Sequence, residues 1–119
     1  MSRVLTDKRR VGVYIVSEAN GAYRSRETVL FEVGAVIEPG TVLKLGEDDG
    51  YVPVEADGAG AVAIAYGHYD ASEVVVRGVA SVRDMEANGH ELVWPEAITD
   101  AAKATAIAGL AAVGIIVRF

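Results

Sequence analysis

The sequence predicts a mainly β domain with a minor α component: a compact barrel or sandwich-like body, one late helix and an extended N-terminal arm. Three observations predict it. Short β-prone runs alternate with Gly, Pro and Asp turn signals from Thr28 to Val82, the rhythm of an all-β domain. One stretch alone, Ala101 to Leu110, has the Ala, Lys, Ile and Leu content that favours a helix, and it comes late. Charge is also unevenly placed: residues 1–27 hold six Lys or Arg against three Asp or Glu, and the other 92 hold five against fourteen. That shift divides the chain into a flexible N-terminal arm, 1–27, and a β-rich domain, 28–119. At 119 residues the chain has room for one core and no second domain.

The arm opens with Met1 to Arg10, charged and without periodicity, as poorly ordered termini are. Val11-Gly12-Val13-Tyr14-Ile15-Val16 is strongly β-prone, and Ser17 to Ala22 follows as a polar, turn-rich linker. A β-prone segment on such a leader is suited to adding a strand to another protein's sheet. Pairing inside its own domain is the alternative. On the first reading the partner-binding residues are Val11, Val13, Tyr14, Ile15 and Val16, with Arg24 and Arg26 supplying charge.

In the body, Thr28 to Val33 reads as a strand, and Pro39-Gly40 as the centre of a type II turn leading into Thr41 to Leu45. Gly46 to Gly50 is an acidic turn without the spaced oxygen ligands of a calcium loop. Tyr51 to Val54 is short and extended, and Pro53 keeps it at an edge. Ala56 to Gly60 reads as a flexible connector before a buried strand, Ala61 to Tyr66. Val74 to Val82 reads as strand broken at Gly78, and Arg83 to Gly89 as a polar connection.

Leu92 to Trp94 ends an extended segment, and Pro95 turns the chain by fixing its own φ and steering Trp94 away from helix. Thr99 or Asp100 caps the helix through a short side-chain oxygen. Gly109 and Gly114 punctuate its end, and Ile115 to Phe119 forms a last strand. Trp94, the single tryptophan, is expected to plug the core beside Pro95 as a structural anchor.

The composition excludes several classes. Without cysteine there is no disulfide, thiolate metal site or thiol catalysis. His68 near Asp70 lacks a nucleophile or second base, and Gly58 and Gly60 lack the Lys-Ser/Thr of a phosphate loop. No convergent acid, base and nucleophile can be assembled, so the expectation is no enzyme, no catalytic, cofactor-binding or metal residues, and no cofactor. An acidic body disfavours nucleic acid, whose phosphates need cations. No run approaches the roughly 18 apolar residues of a membrane span, and Val11 to Val16 is too short for a signal peptide. The chain therefore reads as a soluble product of the cytoplasm. A basic arm on an acidic body suits docking onto another protein.

From Leu92 to Gly109, the run Leu92-Val93-Trp94-Pro95-Glu96-Ala97 followed by Asp100, Lys103, Thr105, Ala106, Ala108 and Gly109 resembles the C-terminal end of the phage lambda head decoration protein family. Val16 to Gly21, Tyr23 to Glu27, Pro39 to Leu43, Asp57 to Tyr66 and Val76-Arg77-Gly78 resemble further elements of that family in the same order. The chain departs from the pattern in Ile115 to Phe119 and in its longer leader. The resemblance implies a non-enzymatic structural protein of the bacteriophage virion, a homotrimer on the outside of the expanded head that stabilises the capsid by clamping neighbouring major capsid subunits. It further implies that the N-terminal arm extends a sheet of the capsid protein. The alternative is a small carrier domain, because Gly34 to Leu43 resembles the paired turns of biotinyl and lipoyl carriers. Such a carrier needs a modifiable lysine at a hairpin tip, and the body offers only Lys44 and Lys103.

Overall fold

The computed structural model describes residues 9–21 and 24–119. Five strands close a barrel in the order β2-β5-β4-β6-β8: β2 (Arg26–Phe31), β4 (Val42–Leu45), β5 (Tyr51–Pro53), β6 (Ala61–Ala65) and β8 (Val76–Ser81). Beside it lies a three-stranded sheet, β1-β9-β10, built from β1 (Ile15–Glu18), β9 (Met85–Asn88) and β10 (Ile115–Arg118). A short ladder joins β3 (Val36–Ile37) to β7 (Tyr69–Asp70), and one helix, α1 (Asp100–Ala112), precedes β10. The expected mainly β body with a single late helix is the architecture observed.

Strand alternation splits the apolar side chains between two cores. Leu43 on β4 and Ala63 and Ala65 on β6 point into the barrel with Phe31, Ile37 and Ala80. Their neighbours Val42 and Ile64 point outward, into a larger core with Tyr14, Met85, Leu110 and Ile115. Ala61 has the parity of Ala63 yet joins the outer core. The cause is a bulge: Leu43 pairs with Ala63 but Lys44 with Ala61, so the extra residue Val62 inverts the pleat.

Local chemistry explains the turns. Thr41 N–H donates to Glu38 O across the expected Pro39-Gly40 turn, and Gly40 takes φ +94°, which glycine tolerates best. In the acidic turn the Glu32 carboxylate reaches in and accepts from the amides of Asp48 and Gly50. Thr99 caps α1, its Oγ1 accepting from Ala102 N–H at 3.1 Å. The helix buries a narrow stripe of Ala102, Ala106 and Leu110, and small residues let it lie close on the barrel. Gly58, at φ +69°, stands where a Cβ would strike the Ala102 carbonyl. Ala56 to Gly60 is thus a docking turn for the helix rather than a loose connector.

Three other elements differ from expectation. Gly109 does not end the helix; it faces Ala61 O, and α1 continues to Ala112. Gly78 does not break β8, because strand pairing runs through it from Arg77 to Val79. A Cβ there would meet the Tyr69 and Phe31 rings at 2.5 and 2.6 Å, so the glycine makes room for the stacked pair. Finally, Met85 to Asn88 is not a connection but the central strand of the second sheet, antiparallel to β1 and parallel to β10.

Candidate docking surfaces

Two surface features stand out: the β1 edge of the three-stranded sheet, and a groove walled by Trp94. The edge begins where residues 9–18 lie against the body. Arg9 donates through Nε to Pro39 O at 3.0 Å and through Nη2 to Glu91 O, and it pairs with the Glu91 carboxylate at 3.5 Å. His68 Nε2 donates to Arg9 O at 2.6 Å, and Gly12 N–H donates to Tyr66 O at 2.9 Å. Tyr14 then turns inward, fully buried, with its hydroxyl 2.6 Å from Ser81 Oγ. Burial pushes its phenol well above the ordinary tyrosine range, and the hydrogen bond with Ser81 opposes that shift.

Beyond Tyr14 the chain forms β1, hydrogen-bonded to β9 on one side; on the other side β1 is the edge of the sheet among the described residues. Glu86 on β9 binds across all three strands. It accepts from Arg118 on β10 and from Ser17 Oγ on β1 at 2.7 Å, and these bonds, the Arg118 one first, hold its carboxyl below the usual range. At the strand's end Glu18 takes a two-pronged grip from Arg26, at 2.7 and 2.8 Å. That grip, above all, raises the Arg26 guanidinium further, and the group also lies 4.1 Å over the Tyr66 ring.

The seven arm residues singled out in the sequence therefore separate. Tyr14 is a core residue and Arg26 an internal clasp, so neither is available to a partner as it stands. Val13 and Ile15 are half-buried, whereas Val11, Val16 and Arg24 are exposed. The strand itself covers Ile15–Glu18, because Val11 to Tyr14 are spent on turns that bring Tyr14 into the core. The division expected after residue 27 falls inside β2. Met1 to Lys8, Ala22 and Tyr23 lie outside the described residues.

The groove is a cavity of about 400 Å³ lined chiefly by Val36, Glu38, Pro53, Val93, Trp94 and Pro95. Its wall exists because the extended segment 92–94 lies beside the start of β4: Val93 N–H donates to Gly40 O at 2.8 Å and Thr41 bridges to Val93 in parallel. Trp94 is only partly buried against the larger core, with Lys103 Nζ 6.0 Å from the ring centroid. It walls the groove rather than plugging the core, which is filled by fully buried side chains such as Tyr14, Ile64, Leu110 and Ile115. Neither body lysine stands at a hairpin tip: Lys44 lies in β4 and binds Glu55 at 2.8 Å, and Lys103 is in α1.

The fold thus presents an apolar groove and, in the sheet beside the barrel, an edge strand near the N-terminal end of the chain. A family model described as bacteriophage lambda head decoration protein D matches residues 4–115, a span containing both surfaces. The chain belongs to this family of structural phage capsid proteins. Membership places it at the capsid surface of the virion. A search among curated proteins found no match. Among the described residues no helix is long and apolar enough to cross a membrane.

Proposed function

We propose that the chain decorates the outside of the expanded phage head as a homotrimer and cements neighbouring major capsid subunits, docking through its N-terminal end. The observation that carries this reading is the edge position of β1, with Val16 exposed upon it, on the strand that the basic N-terminal residues lead into. An edge strand offers unpaired amides and carbonyls to an incoming strand, and alternate side chains supply selectivity. Arg3, Lys8, Arg9 and Arg10 precede it in sequence, and their attraction to an acidic rim weakens as salt screens it. The chain is made in the host cytoplasm and meets its partner on the expanded shell.

Co-sedimentation with expanded empty shells of the cognate major capsid protein tests this. A charge at the edge, Val16→Asp, and removal of residues 2–8 should each weaken shell binding by about tenfold or more, roughly the loss of one well-buried aliphatic contact. Both variants should keep the melting temperature of the parent. Undiminished binding by both would rule out the N-terminal end as the capsid contact.

A further inference from the structure

We propose that the Ser72–Val75 tip of one copy seats in the Trp94 groove of the next copy, head to tail, and that this contact closes the trimer. The inference rests on the trimeric reading above and assigns its interface.

The tip joins β7 to β8 and carries two adjacent valines that are largely exposed, Val74 at 63% and Val75 at 51%. Its base is fixed. Ala71 is fully buried and exchanges hydrogen bonds with the β3 side, accepting from Gly34 N–H at 2.8 Å and donating to Ala35 O at 3.0 Å. The Asp70 carboxylate accepts from the amide and hydroxyl of Ser72, which holds its own proton affinity below the usual range. Apolar side chains on so tied a turn lose little freedom on binding. Val33 and Val36 are exposed nearby, Val36 at 65%, so the tip rises from an apolar surface of the kind that marks protein contacts.

The groove complements it. Its walls are Pro53, Val93, Trp94 and Pro95, and about 400 Å³ admits two valine side chains. Charge agrees only if both tip charges are matched: the tip carries exposed Glu73 with exposed Arg77 just beyond it, and the groove offers Lys103, 6.0 Å from the Trp94 ring centroid, and Glu38; none of the four makes an ion pair among the described residues. A projecting tip and a concave groove cannot each pair with themselves across a two-fold axis. They join copies heterologously, which yields a ring when successive rotations close and a filament when they do not. Here the two parts are neighbours: Val36 lines the groove, and its strand partner Asp70 leads into the tip. Donor and acceptor surfaces set side by side turn each copy sharply against the next, which favours a small closed ring.

The chain has no cysteine, so a double variant carrying Val75→Cys and Val93→Cys gives a clean test, oxidised both free and on expanded shells. It should yield covalent trimers on denaturing gels, while each single variant should yield none. Independently, Val75→Asp and Val93→Asp should each raise the concentration needed for assembly by more than about tenfold. Mixed together they should recover a one-to-one pair, because a broken tip and a broken groove still leave one intact contact. If light scattering shows the parent trimeric while the double-cysteine chains stay unlinked and Val75→Asp assembles normally, this interface is wrong and the trimer stands. A parent chain monomeric both free and on shells overturns the trimeric reading and the interface together.

Discussion

At the scale of single residues, Tyr14 shows how one side chain ties the N-terminal end to the barrel. Its ring fills the larger core, and its hydroxyl meets the equally buried Ser81 on β8. Because burial raises the phenol, the folded state binds that proton more tightly than the unfolded chain does. The resulting stabilisation is complete below the unfolded value of about pH 10 and is lost as pH rises from there toward the folded value. Tyr14→Phe should cost about 1 to 3 kcal/mol at neutral pH, since it leaves the Ser81 hydroxyl buried without its partner. It should also flatten the decline in melting temperature between about pH 9 and 11. Equal alkaline slopes in thermal denaturation of parent and variant would show that other groups set the decline. Nothing in Val11 to Val16 marks Tyr14 as a core residue, because a β-prone run reads the same whether its partner is its own sheet or another protein's. Trp94 misleads in the opposite direction: its size and rarity suggest a plug, but whether a ring fills a core or walls a groove depends on what lies across from it.

At the scale of elements, strands bounded by turn signals were legible. β2, β4, β5, β6 and β8 lie within a few residues of their expected positions, and α1 follows its cap. β9 was not legible. Met85-Glu86-Ala87-Asn88 lacks strong strand formers, and it is a strand because β1 and β10, from opposite ends of the chain, flank it. Gly78 misleads for a related reason. A glycine in a strand signals either a break or a close approach, and the approaching rings of Phe31 and Tyr69 come from other elements. Gly78→Val should therefore destabilise by about 1 to 3 kcal/mol through overpacking. A melting temperature within a degree or two of the parent would mean that the stacked rings can move aside freely. The groove was hidden likewise, since its walls come from β3, β5 and the 93–95 segment, which only the fold brings together.

At the scale of the whole molecule, the question is whether the N-terminal segment is an appendage or a part of the body. The change from basic to acidic composition suggests an appendage ending at residue 27. The packing argues otherwise for everything from Arg9 onward. Removing residues 2–18 deletes Tyr14 from the core, strips β1 from β9, and takes away the Glu18 partner of Arg26 and the Arg9 contacts to Pro39 and Glu91. Emptying a large aromatic site alone costs about 3 to 5 kcal/mol, against a total stability of roughly 5 to 15 kcal/mol for a small domain. That truncation should therefore melt far below the parent or fail to fold, as circular dichroism would report. Removal of residues 2–8 alone spares every one of these contacts and should leave the melting temperature in place. Should the longer truncation melt within a few degrees of the parent, the body would be self-sufficient from β2 onward and the sequence-based boundary would be the better one. If it collapses while the shorter truncation only loses shell binding, the chain joins two functions along one continuous stretch. Residues before Arg9 then serve the capsid alone, while those from Arg9 to Glu18 close the fold and also present the edge strand with Val16 upon it.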